Sequence, residues 1–144
     1  MSRVFVSSST GAEVYVFSND HCPPHVHARH RGDGWTARVG FSYLGDTVTL
    51  MSIAPAKDIP PRRVLNGLLD DVQAHLAECR RVWWTTSRTA CLANQWVTVS
   101  ARGKIELCTA SASGAKQIAE ASYEVSSRRL RLAFRDGTSL EVKS

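Results

Sequence analysis

The chain has no apolar run long enough to span a bilayer. Met1 to Thr10 also lacks the basic start and apolar stretch of a secretory leader, so a cytoplasmic protein without membrane contact is expected. Cysteine is sparse. Cys22, Cys79, Cys91 and Cys108 lie far apart without C-x-x-C spacing, which argues against a disulfide framework or a cysteine-rich zinc site and for reduced thiols. A glycine-rich phosphate loop, a G-x-S-x-G elbow and an H-E-x-x-H pair are all missing, and with them the common nucleotide-binding, serine-hydrolase and metalloprotease frameworks.

What remains is ordinary globular material. Apolar residues make up 43% and charged residues 22% of 144 positions, enough for one compact domain or two small ones. The net charge of +5 is uneven: nine Lys and Arg face eight Asp and Glu in residues 1–84, but nine face five in residues 85–144. Arginine outnumbers lysine 14 to 4, which suits forked recognition of phosphate or carboxylate and equally suits a GC-rich genome.

Patterning suggests an α+β fold. Arg3–Ser7 and Glu13–Ser18 are β-branched and aromatic runs joined by Ser-Ser-Thr-Gly, a hairpin signature. Trp35, Ala37, Val39 and Phe41 alternate with small or polar residues, and Thr47–Ile53 follows the Gly45-Asp46 turn, giving an antiparallel meander of four to five strands. The period then changes. Leu65, Leu68, Leu69, Val72, Leu76 and Trp83 recur at helical spacing behind Pro60-Pro61, predicting one long helix over Pro61–Trp84 that packs the sheet. Asp70, Asp71, Gln73, Glu78 and Arg80 are expected mostly to face water, and Gly67 weakens the helix.

Thr85–Gln95 reads as a connector between a domain at 1–84 and a small antiparallel β unit at 96–144. In that unit Trp96–Ser100 pairs with Lys104–Cys108, Ala110–Ala115 is a loop, and Arg129–Phe134 pairs with Thr138–Lys143. Leu130, Leu132 and Phe134 must share a face with Leu140 and Val142. A two-residue Asp-Gly turn would set Leu132 opposite Glu141, so parity requires a three-residue loop ending in a left-handed Gly137, and by the same count a bulge at Gly103. Arg129 and Arg131 then project from the opposite face, with Arg135 at the turn. Those three are candidates for anion or nucleic-acid binding, or a solvated face.

The feature that points to chemistry is Asn19–His30, NDHCPPHVHARH, which holds four of the five histidines. If His25–Arg31 is extended, His25, His27, Arg29 and Arg31 project one way and Val26, Ala28 and His30 the other. Two imidazoles side by side can reach one divalent ion, zinc being the best match, with His21 as a third ligand held by the stiff Pro23-Pro24 turn. Asp20 or a Cys22 thiolate could complete the set. The same residues could instead act as an acid–base pair with Arg29 and Arg31 neutralising a phosphoester, or cap the loop structurally. His75 is expected to be a partly exposed helix residue.

The string Phe17-Ser-Asn-Asp-His-Cys-Pro-Pro-His-Val-His-Ala28, with Pro60-Pro-Arg-Arg63 opening a helix that ends in tryptophan, resembles the family catalogued as domain of unknown function 4160 over residues 4–84. His21, Pro23, Pro24, His25 and His27 coincide with its H-x-P-P-H-x-H core, while Cys22 and Val26 stand where asparagine and phenylalanine are usual. Ile118–Val142, a strand followed by Leu-x-Leu-x-Phe-x-Asp-Gly and a final strand, is similar to domain of unknown function 2442. The resemblance implies a toxin–antitoxin-like or phage-related module, and the function expected is that of a non-enzymatic regulatory or binding component that contacts a partner protein or nucleic acid, with a homo-oligomer also open. The alternative is a metal-dependent phosphoester hydrolase, RNA included, centred on His21, His25 and His27.

Overall fold

The computed structural model describes residues 1–144 and divides into two compact units, Met1–Arg88 and Thr89–Ser144. The first is α+β, as the periodicities require. Strands β1 (Ser2–Val6), β2 (Glu13–Val16), β3 (His25–Arg29), β4 (Thr36–Gly40) and β5 (Thr49–Ala54) form one antiparallel meander in sequence order. The H-x-H segment is therefore its central strand.

Alternation sorts this sheet into two faces. Val14, Ala28, Ala37 and Ile53 lie in one cross-strand row, and Val26 opposes Val39 in the next. Val14, Val26, Ala28, Ala37 and Val39 are essentially solvent-free, and each valine buried this way contributes about 1.5–3 kcal/mol. Phe5 pairs with Val14 and so shares that face, where its ring stacks on His75 of the helical segment at 4.0 Å. The opposite face carries the row Arg3, Tyr15, His27, Arg38 and Ser52, flanked by Glu13, Arg29 and Thr36.

The helix expected over Pro61–Trp84 is two helices, α1 (Arg62–Ala74) and α2 (Leu76–Ser87). Neither proline nor Gly67 breaks it. His75 does, at φ −111° and ψ 25°: its ring Nδ1–H donates to the Asp71 carbonyl at 2.8 Å, where its own backbone N–H also donates. A second correction concerns Arg80, expected in water but only 5% exposed. Its guanidinium donates to the Ser42 and Gly45 carbonyls, tying the β4–β5 connection to α2, and Tyr43 O–H donates to the Arg80 carbonyl. Gly67 faces the β1–β2 turn so closely that a Cβ would lie 2.8 Å from Ser9 Oγ. Close approach, rather than flexibility, explains the glycine.

In the second unit the sheet order is β10-β9-β8-β6-β7, with β6 (Trp96–Val99), β7 (Ile105–Cys108), β8 (Lys116–Glu124), β9 (Arg129–Phe134) and β10 (Ser139–Lys143). The parity argument holds: Leu140 opposes Leu132, Val142 opposes Leu130, and Gly137 and Gly103 take φ of +87° and +80°. Strand β8, to which periodicity gives no element, pairs with both β9 and β6.

Candidate metal centre

Strand β3 sets His25 and His27 on one face, ring centroids 5.0 Å apart, as the i, i+2 spacing requires. Asp20 reaches the same point from the loop after β2. Its Oδ2 accepts the Phe17 backbone N–H at 2.8 Å, closing a tight turn in which Asp20 N–H donates to the Phe17 carbonyl. The peptide bond Cys22–Pro23 is cis, and the chain returns into β3.

His27 Nε2 lies 3.0 and 3.1 Å from the two Asp20 oxygens, and His25 Nε2 lies 3.5 Å from Oδ1. One ligand atom from each of Asp20, His25 and His27 falls within 4.8 Å of the others. Two bonds of about 2.0–2.1 Å at a tetrahedral angle separate their ligand atoms by about 3.3 Å, so the carboxylate-to-imidazole distances match a tetrahedral ion. The tautomers add a sharper constraint. His25 Nδ1 sits 2.8 Å from the Pro23 carbonyl, which only accepts, so Nδ1 is the protonated nitrogen. In the neutral ring Nε2 is then a bare lone pair aimed at a carboxylate oxygen. Facing the carboxylate, Nε2 can meet it as an imidazolium N–H or as a lone pair that shares a cation with it.

Aromatic rings enclose the cluster. Tyr15 stacks on His27 at 5.6 Å, Phe17 meets it edge-on at 4.7 Å, and Trp83 of α2 lies 5.3 Å from His25. His25 and His27 are 5% and 8% exposed, so ion and protein charges interact here with little solvent screening. Arg29 follows on the same face, its guanidinium 5.5 Å from the Tyr15 ring centre and its Nε buried without a hydrogen-bond partner.

Of the other predicted residues, His21 is exposed and outside the cluster, so the structure brings together Asp20, His25 and His27 instead of three histidines. Cys79 and Cys108 are free, whereas Cys22 and Cys91 are half-cystines, against the expectation of four reduced thiols; Cys22 thus offers no thiolate. Burial, with the neighbouring Glu78 carboxylate, pushes the Cys79 thiol up to about 12, which leaves it inert. His30 caps its own turn, with Nδ1 accepting the Asp33 N–H at 2.9 Å. Arg31 leaves the strand and meets Glu13 at 3.4 Å. In the second unit Arg135 donates to Asn94 at 2.6 Å, Arg131 lies 3.9 Å from Glu141, and Arg129 is exposed.

Sequence reasoning missed the aromatic enclosure and missed Arg3 and Arg38, which flank Tyr15 and His27 in one row. The alternation that turns Ala37 and Val39 inward was the available signal for Arg38. No helix is long and apolar enough to cross a membrane. No family model, curated protein or solved structure matches the chain, so the likeness to the two domain families rests on the motifs alone.

Proposed function

We propose that the first unit binds a divalent metal ion, zinc fitting best, through Asp20, His25 and His27, and hydrolyses phosphoesters there. The observation that carries this reading is the convergence of one ligand atom each from Asp20, His25 and His27 within 4.8 Å in a buried site, with His25 Nδ1 held by the Pro23 carbonyl so that Nε2 faces the cluster. That is how a metal-ligating histidine is oriented, its second nitrogen fixed by a backbone acceptor. Three protein ligands would leave room for water on a bound zinc, as catalytic rather than structural sites do.

When bound by Asp20, His25 and His27, the ion would acidify a water and polarise a phosphoryl oxygen. Arg29 supplies the complementary part: a guanidinium next to the site whose buried Nε has no acceptor. In hydrolysis the water oxygen bonds to phosphorus, the ester P–O bond breaks, and the departing oxygen takes the proton that water gives up.

Turnover of a small chromogenic phosphodiester by zinc-, manganese- or nickel-loaded protein tests the reaction. Activity that disappears with chelator and in His27→Ala, and falls in Arg29→Lys, is the expected result. Metal-loaded protein with no turnover above the free ion would refute the hydrolase reading and leave a binding site only.

A further inference from the structure

The polar face of the first sheet has a charge pattern that a small phosphoester does not need. One cross-strand row reads Arg3, Tyr15, His27, Arg38 over β1 to β4, so the two arginines stand on either side of the ligand histidine. At about 4.8 Å between strands, their backbones are roughly 14 Å apart. Arg29 lies one side-chain repeat beyond His27 along β3, and Arg31 follows at the strand end. Arg3, Arg31 and Arg38 are exposed; Glu13 is the acidic residue between them, 3.6 Å from Arg3 and 3.4 Å from Arg31. Four guanidiniums thus surround the candidate centre in two directions.

We infer that the substrate is a single-stranded nucleic acid laid across β1 to β4, with successive phosphates on Arg3, Arg29, Arg31 and Arg38 and the scissile one at the centre. The inference rests on the hydrolase reading above and adds the substrate class. One phosphate can occupy one or two of these arginines, whereas a polyanion occupies all of them and releases a counterion at each. The arginines form an exposed rim around the buried Tyr15 and His27, and a basic rim of that kind is a track that a single strand follows. An unstacked strand can also turn one phosphate in toward a buried centre, which a rigid duplex cannot.

Binding is measured on the full chain by fluorescence anisotropy, with single-stranded RNA and DNA on the order of 12 nucleotides, within the range single-strand sites cover. Chelator is present, so that the ion contributes nothing. For four contacts the slope of log affinity against log salt is about −3, from about −0.7 per phosphate on single strands, and Arg3→Ala/Arg38→Ala flattens it by about half. Both residues are exposed, and retained thermal stability shows that the variant still folds. A slope unchanged by the double variant, competition by a mononucleotide as strong as by the oligonucleotide, or equal binding of a polyglutamate peptide would each overturn the inference. The two readings fail separately. Arginine-dependent binding without metal-dependent cleavage removes the hydrolase alone, and turnover of a small phosphodiester without arginine-dependent strand binding removes the nucleic-acid substrate alone.

Discussion

Replacing Asp20 by asparagine separates a metal ligand from a structural carboxylate. Asparagine keeps the shape, and its carbonyl can still accept the Phe17 N–H that Asp20 Oδ2 accepts at 2.8 Å. Its amide N–H₂ then points where Oδ1 stood, 3.5 Å from His25 Nε2, within reach of a hydrogen bond to it. His27 Nε2 keeps an acceptor, the amide carbonyl where Oδ2 stood at 3.1 Å, but loses the carboxylate charge. One charge-assisted hydrogen bond worth about 1.5–3 kcal/mol is lost and one neutral bond of about 0.5–1.5 kcal/mol gained, so the metal-free variant should lie within about 1–2 kcal/mol of wild type. Zinc should act very differently on the two. At free ion 100-fold above its dissociation constant, wild type gains about 2.7 kcal/mol. For a unit of this size that is roughly 10–20 °C in Tm. Asp20→Asn, with one ligand gone, should show almost none of that shift at the same concentration. Differential scanning fluorimetry with and without zinc measures it. Equal zinc shifts in both proteins, or none in wild type, would refute the assignment of Asp20 as ligand.

Three further outcomes follow from packing and charge. Gly67→Ala, which in an open helix gains about 1 kcal/mol, should instead destabilise, because its Cβ forces Ser9 off Asp71; in a Ser9→Ala background the sign should revert, as urea unfolding would show. Burial raises the Asp71 pKa, but hydrogen bonds from the Ser7 and Ser9 hydroxyls and the Ser9 N–H, with the nearby His75, outweigh it and hold the carboxyl below its ordinary value. Stability from the ionised form is therefore full above about pH 4 and lost as pH falls through the lower folded value, so the deficit of Asp71→Asn, about 1 kcal/mol at neutral pH given partial exposure, should vanish in acid. Gly137→Val should cost on the order of 1 kcal/mol or more, since a β-branched residue is strained at φ +87°; an unchanged urea midpoint for the second unit would contradict it.

Where local pattern and tertiary packing agree, the sequence was legible. The meander, the face shared by His25 and His27, and the three-residue loop at Gly137 all follow from a period of two and turn chemistry. Strand β8, implied by the family resemblance, escaped periodicity because a bulge at Ala119 shifts its register: Ile118 and Tyr123 are both buried, opposite Phe134 and Leu130, although five residues apart. The break at His75 was invisible because it depends on a ring that stacks on Phe5, more than sixty residues away. At the site, the spacing of His25 and His27 was sufficient, but the choice of Asp20 over His21 depends on a loop whose backbone bonds no residue pattern announces. Arg80 shows the same limit: a charge on a helix is buried when carbonyls of a distant loop converge on it.

Zinc-edge X-ray absorption on stoichiometrically loaded full-length protein tests the central claim most directly. Two imidazoles and a carboxylate predict a first shell of nitrogen and oxygen at about 2.0–2.2 Å, outer-shell scattering from two rings, and no sulfur. A sulfur shell near 2.3 Å, or light atoms without any imidazole signature, would contradict the assignment of Asp20, His25 and His27 as the ligands.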